Sequence, residues 1–323
     1  MISDRIYRRS VLKNMNPRGQ RLTRCADSGL GAVVGDITGS VVASIKTGKY
    51  GIYAAYNELC IKGATPLFFN LSATVPAGYC EEDLKECVSW HGAVGERLHM
   101  GFGDCAVNVD GNVSEPVLTT CAIGECAGYR GLSGAAAGDD IVLVGRIGLD
   151  GIRRVVDKHP EAVQERYSQE FIRGALGAED AFAIGRAAAL ARDNGATFLQ
   201  CVGEGGIYAA LWHLAQENGK GFDIDMMSIG VDQEVIELCE VYGINPYGLS
   251  SLGCLLVTSP DGCGIVDVME SDGMHAGVLG RMSDGKARIM RLKDEIRYLD
   301  VPIGEEADRF CFGGYGGNEG KDS

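Results

Sequence analysis

Two kinds of hydrophobic spacing alternate along the chain. In "LGAVVGDITGSVVASI" β-branched residues cluster on either side of a Gly-Asp-x-x-Gly turn, which predicts two short strands around Asp36 and Gly39. "GIYAAYNELCIKG" is rich in helix formers and ends on Gly63, suited to the left-handed position that stops a helix; the apolar run 67–75 then reads as a strand. In "CEEDLKECVSWHGAVGERLHM" apolar residues recur at Leu84, Cys87/Val88, Val94 and Leu98, close to helical spacing, and the acids of the first turn suit the helix dipole. Strand patterns return around "DCAVNVDG" and "EPVLTTCAIGE".

Small residues and glycines in "GLSGAAAGDD", residues 131 to 140, interrupt the pattern before the strand "IVLVGRIG" and mark a domain boundary. Beyond it the spacing predicts a helix at about 179–194 closed by Gly195, a strand "TFLQCV" and a glycine turn into the helix "IYAALWHLAQENG". A helix "DQEVIELCEVYG" follows, with Asp232 as N-cap and Gly243 as stop, and then strands "GCLLVTSP" and "AGVLGRM". Helices and strands joined by short glycine turns in both halves predict an α/β or α+β fold. A length of 323 residues allows two domains.

Composition narrows the function classes. The net charge of −14 argues against general affinity for nucleic acid or an anionic membrane, since neither polyanion attracts a strongly acidic surface. Residues 1–24 are the exception, with Arg5, Arg8, Arg9, Lys13, Arg18, Arg21 and Arg24 against Asp4 alone. That arm reads as a solvated or partner-covered segment. Neither a signal-peptide core nor a membrane-length apolar run is present, so a cytoplasmic location is expected. The twelve cysteines then read as free thiols; no Cys-x-x-Cys pair occurs, and Cys121 and Cys126 lack a second pair of ligands.

Candidate chemistry lies at Asp36, at Asn57-Glu58, at Asp104 in "GFGDCAV" and at the turn "GEGGIYAAL" of residues 203–211. Separated acids followed by a glycine turn at a helix start suit a nucleotide with Mg²⁺, because hard cations take oxygen ligands and helix N-termini favour phosphate. Each element alone also has a plainer reading: a Gly-Asp turn, or glycines that let a helix pack closely. No Walker motif and no G-x-G-x-x-G is present. The five histidines form no spaced pair of ligands and read as packed or solvated.

From about residue 27 to 310 the order of these segments resembles the AIR synthase (PurM-like) superfamily. "YNELCIKGATPLFFNLSATVP" is similar to that family's Asn-Asp helix, Gly-Ala-x-Pro turn and strand, and "GFGDCAV" to its Gly-Asp-Thr turn. "TTCAIGECAGYRGLSGAAAGDDIVLVGRIGLDGI" resembles its interdomain segment, and "GEGGIYAALWHLAQENGKGFDID" its second glycine turn and helix. "VDQEVIELCEVYGINPYGLSSLGCLLVTSP" and "IRYLDVPIGEEADRFC" resemble the hydrogenase-maturation (HypE-like) branch.

The resemblance implies a two-domain PurM/AIR synthase-like fold. A basic arm (1–26) precedes an ATP-binding N-terminal domain (27–132) that forms a dimeric β-barrel, and a C-terminal α/β sandwich (133–303) precedes a flexible glycine-rich tail (304–323). It further implies ATP and Mg²⁺ as cofactors, a homodimer, and activation of an oxygen of a small-molecule substrate by phosphorylation. Glu58, Asp104 and Asp36 would hold Mg²⁺; Asn57 would stand at the nucleotide, Lys49 would contact phosphates, Gly203, Gly205 and Gly206 would let backbone approach the ligand, and Cys311 would correspond to the branch's carbamoyl-carrying cysteine.

Several residues depart from the family's pattern. Glu58 stands for Asp, Lys46 for an acid, and Cys105 for Thr, while the basic arm replaces a glycine-rich segment and "FGGYGGNEGKDS" follows Cys311. These departures keep a second reading open: a non-catalytic dimeric homologue that binds a ligand, or a protein partner at the basic arm or tail.

Overall fold

The computed structural model describes residues 41–126, 132–301 and 304–308, with the backbone alone of 22–24, 33–35 and 40. Asp36, Cys311 and nearly all of the basic arm lie outside these residues. The chain divides into two compact units, Met1–Gly131 and Leu132–Ser323.

In the first unit β1 (Leu22–Arg24) pairs antiparallel with β2 (Val33–Gly35). A four-stranded sheet follows, in the order β3 (Ser40–Thr47), β6 (Val117–Cys126), β4 (Thr65–Val75), β5 (Gly101–Val109). Only β4 and β5 run parallel, and α2 (Glu81–Arg97) makes the crossover that a parallel pair requires. α1 (Gly51–Ile61) links β3 to β4; it ends at Lys62, and Gly63 takes the left-handed conformation expected of it (φ +73°). Pro66 falls at a register shift in β4, where the missing N–H breaks no regular ladder.

Alternation along β4 buries Phe69, Leu71, Ala73 and Val75 with Leu59 of α1 and Leu84 and Val88 of α2. The other face of the sheet carries exposed apolar side chains. Ile45 is 66% and Val41 52% exposed, and Ile45 lies in register with Cys121. The described strands leave the sheet open, with β3 and β5 as its edges, and close no barrel.

The second unit is a seven-stranded sheet. Its order is β13 (Glu295–Tyr298), β12 (Arg288–Leu292), β9 (Gly221–Asp225), β11 (Ala276–Ser283), β7 (Asp140–Val144), β10 (Cys254–Ser259), β8 (Phe198–Val202). β7 and β10 are buried at every position, so both faces of the sheet centre are covered. α7 (Gly206–Asn218) packs through Ile207, Leu211 and Leu214 on Ile141, Leu143 and Leu256. A second core joins α3 (Leu149–Lys158), α4 (Glu161–Gln164), α5 (Gln169–Leu176) and α8 (Gln233–Tyr242) around Val155, Ile172 and Leu238. α6 (Gly185–Asp193) and α9 (Gly262–Ser271) complete the unit.

Two local expectations are modified. The helix expected from 179 splits: Glu179–Phe182 form one 3-10 turn and α6 starts only at Gly185. Phe182 turns into the core, fully buried, and Ala183 is extended, which breaks the helical run. Asp232 does sit at the N-cap of α8, but its carboxylate makes no capping bond and pairs with Arg146 instead.

Candidate functional site

Each unit carries its own group of candidate residues. In the first unit Asn57 and Glu58 fall within α1, not at an end of it. Asn57 is buried, 2% exposed, whereas Glu58 is half-exposed with Lys46 Nζ 3.5 Å from its Oε1. Strand alternation explains the pair, because Lys46 lies in register with Thr120, which is fully buried, and so points to the helix-bearing face. Gly51 lets α1 lie close on β3: a Cβ there would stand 3.0 Å from the Lys46 carbonyl oxygen. Lys49 follows β3, with its ammonium 5.2 Å from the centre of the Tyr50 ring.

Beside it, α2 contributes Cys87 and His91. The His91 ring is fully buried; its Nδ1–H donates to the Cys87 carbonyl at 2.8 Å, which leaves Nε2 a bare acceptor with no donor among the described residues. Burial lowers the His91 pKa to about 4, the hydrogen bond to Cys87 opposes that, and the Lys49 charge adds to the lowering. Burial likewise pushes the Cys87 thiol up to about 11, with Lys49 opposing. A thiol so raised stays protonated at neutral pH and is a poor nucleophile.

Asp104 was expected in a turn, and the structure puts it inside β5. The strand bulges there: Phe69 pairs with Phe102 and Leu71 with Cys105, so Gly103 and Asp104 together oppose Asn70. Asn70 Oδ1 accepts the Asp104 N–H at 2.8 Å, and Asp104 Oδ1 accepts the Cys105 N–H at 2.8 Å. A Cβ on Gly103 would collide with Asn70 Oδ1 and so push that oxygen off the Asp104 N–H. Asn70 is in register with Cys121, on the face opposite to Lys46 and the helices. The sheet therefore stands between Glu58 and the Asn70-Asp104 bulge, and the fold of the unit does not bring the two carboxylates together.

The fit of Mg²⁺ follows from these positions. Among the described residues no group of three or more His, Cys, Asp or Glu is arranged to hold a metal. Mg²⁺ commonly takes one or two carboxylates and completes its shell with phosphates and water, so a full protein cage is not required. Asp104, with no ion pair among the described residues, fits that use; Glu58 already faces the Lys46 ammonium.

In the second unit the turn before α7 contains three glycines with different surroundings. Gly203 has open space around it. Gly205 caps the helix at φ +76°, and its N–H donates to Glu305 Oε2 at 2.7 Å. Gly206, at φ +63°, packs against residues 247–249; a Cβ would come within 2.6 Å of the Leu249 carbonyl oxygen. Gly205 and Gly206 thus have structural duties, whereas Gly203 has free space where a side chain would stand, although its carbonyl accepts the Gly206 N–H at 3.0 Å.

Sequence reasoning missed the polar group beneath this turn, which joins Asp150, Arg154, Ser250 and Glu305. Arg154 Nη2 lies 3.4 Å from Glu305 Oε1, and Asp150, fully buried, accepts the Leu252 N–H at 2.6 Å. Burial raises the pKa of both carboxyls, and the Arg154 charge opposes it in each. The residues are up to 155 positions apart, and only the adjacent acids Glu305-Glu306 in an otherwise glycine-rich end hinted at them.

No family model matches the chain. Among curated proteins, the carbamoyl dehydratase HypE of Rhizobium leguminosarum bv. viciae is 26% identical over 277 residues, which cover 82% of this chain and 77% of that protein. The chain is thus similar in sequence to curated HypE proteins and in fold to solved HypE structures, in line with the resemblance carried by its motifs. Escherichia coli HypE superposes with a TM-score of 0.79 at 18% identity, over 96% of this chain and all of that one. A HypE structure in complex with ATP superposes with a TM-score of 0.77 at 17% identity, over 96% of this chain and 97% of that one.

Proposed function

We propose that this protein is an ATP-dependent enzyme of the hydrogenase-maturation type, which activates an oxygen of its substrate by phosphoryl transfer from Mg-ATP. The observation that carries this reading is its likeness, over nearly its whole length, to a HypE that binds ATP. In the reaction the substrate oxygen bonds to the γ-phosphorus as the bond to the β–γ bridging oxygen breaks, and ADP leaves. Catalysis of such a transfer is largely positioning and charge stabilisation. In the first unit Lys49 would contact phosphate and Asn57 would orient the nucleotide; in the second unit Gly203 is the candidate for backbone contact with a ligand. Asp104 would hold Mg²⁺; Asp36 and Glu58 are alternative candidates, Glu58 being across the sheet from Asp104 and not a joint ligand with it, and Cys311 is the candidate carrier of the activated group.

The same reading makes the protein a homodimer through the open sheet face that carries Val41 and Ile45, since contiguous exposed apolar surface favours association. The test is Asp104→Asn. Loss of Mg²⁺-dependent ATP turnover with the fold intact supports the reading, and unchanged turnover removes Asp104 from the mechanism.

One observation favours a second reading, that of a homologue which binds a ligand or partner without turning over ATP. The Lys46 ammonium sits at the Glu58 carboxylate, where a cation is already supplied by the protein. Nucleotide bound equally well with and without Mg²⁺, and never hydrolysed, would favour that reading.

A further inference from the structure

The group at the α7 turn holds residues 304–308 against the second unit through several independent contacts. Glu305 is 8% exposed; Oε2 accepts from Gly205 N–H, and Oε1 accepts from Ser250 N–H at 2.9 Å and Ala307 N–H at 3.3 Å. The Glu306 N–H donates to the Gly248 carbonyl at 3.3 Å. Gly248 leaves room for this approach, because a Cβ there would stand 2.7 Å from Glu306 Cγ. Ala307 is fully buried in the core formed by Val155, Leu238 and Leu249.

A buried carboxylate is costly unless it is both hydrogen-bonded and charge-matched, and Glu305 is both. Its two oxygens meet three backbone N–H groups, those of Gly205 and Ser250 in separate turns and that of Ala307 in its own segment, and one guanidinium, so the carboxylate also ties those turns together. A segment expected to be a free tail is instead specified by side-chain chemistry at its first residues.

We propose that Glu305 is a positioning residue, a latch that fixes residues 304–308 at the N-terminus of α7 and so sets the point from which the chain end departs. Cys311 stands six positions after Glu305, so its reach from the latch is at most about 20 Å for an extended chain. The latch stands on the geometry alone, whereas a use for it at Cys311 rests on the reading under Proposed function. Substitution of Glu305 leaves Arg154 its second acid, Asp150, whose carboxyl feels the Arg154 charge.

Hydrogen–deuterium exchange of the full chain tests the latch without reference to ATP. Glu305→Ala is expected to speed exchange of the amides of 304–308, Gly205 and Ser250 at least tenfold, with β7 and β10 unchanged. Glu305→Gln, which keeps one acceptor oxygen, is expected to fall between. Wild-type protection of 304–308 in Glu305→Ala overturns the proposal. Should Glu305→Ala expose β7 and β10 as well, Glu305→Gln decides, and no change in its 304–308 amides overturns it.

A second readout separates positioning from general support. In protein that turns over Mg-ATP, Glu305→Ala is expected to lower kcat at least tenfold with KM for ATP within twofold. Equal losses in both contradict a role for the latch at the chain end. Absence of turnover in the wild type refutes the ATP reading, and the exchange result then decides the latch by itself.

Discussion

His91 should make the first unit sensitive to mild acid. Its pKa is about 4 in the folded protein, against an ordinary value of 6.5. Between these values the unfolded chain binds a proton that the folded chain does not, so unfolding free energy falls as pH falls from about 6.5 toward 4, and this loss is absent above 6.5. At roughly 1.4 kcal/mol per pH unit of difference, with the half-titration at the lower limit allowed for, the loss by pH 4 is about 3 kcal/mol. That is a large share of the stability of an ordinary domain.

The assay is urea unfolding at a series of pH values. Trp90, whose ring centre is 4.8 Å from that of His91, reports on the first unit, and Trp212→Phe removes the other tryptophan. Other acids titrate in the same range, so the informative quantity is the difference between wild type and His91→Leu. The leucine should leave stability at pH 7 within about 1.5 kcal/mol, since it replaces an orphaned buried acceptor with apolar volume. It should also remove about 3 kcal/mol of the loss between pH 6.5 and 4. Identical pH dependence in the two proteins would refute the claim that His91 is held neutral by burial.

Four further predictions concern single positions. Gly206→Ala combines a left-handed backbone with a Cβ against the Leu249 carbonyl oxygen and should cost roughly 2–5 kcal/mol in the second unit, read by Trp212 fluorescence during denaturation. Gly203→Ala, with open space around it, should leave that stability within about 0.5 kcal/mol, and a fall in ATP affinity there would mark close approach of the ligand. Lys46→Met frees Glu58 and should strengthen the Mg²⁺ dependence of nucleotide binding by calorimetry; an unchanged dependence would show that the ion pair, its side chains 39% and 27% exposed, is too weak to matter. Ile45→Asp should yield monomers in a mass measurement at micromolar concentration if the exposed sheet face forms the dimer, and a dimer that survives would locate the interface elsewhere.

How far the sequence disclosed the molecule depended on the range of the interaction involved. Gly63, Gly219 and Gly243 stop their helices as local rules predict, because a left-handed residue after a helix is written into the adjacent chain. Phe182 could not be read that way: its burial depends on residues distant in sequence, and that burial divides an expected helix. Asp104 was visible as a candidate, but its bulge was not, since the bulge depends on Asn70 in another strand. The order of motifs along 27–310 disclosed the likeness to HypE proteins, whereas the Lys46–Glu58 pair and the sheet between Glu58 and Asp104 required the register of four strands. Glu305 lay beyond any local pattern, because its partners come from three distant segments.

The central claim, that this protein binds and uses ATP, is tested most directly by calorimetric titration of the full chain with ATP, with and without Mg²⁺. The account predicts saturable binding that is tighter with Mg²⁺, with about 2.7 kcal/mol added to stability at a nucleotide concentration one hundred times Kd. No detectable heat at two temperatures, with no rise in stability, would contradict it.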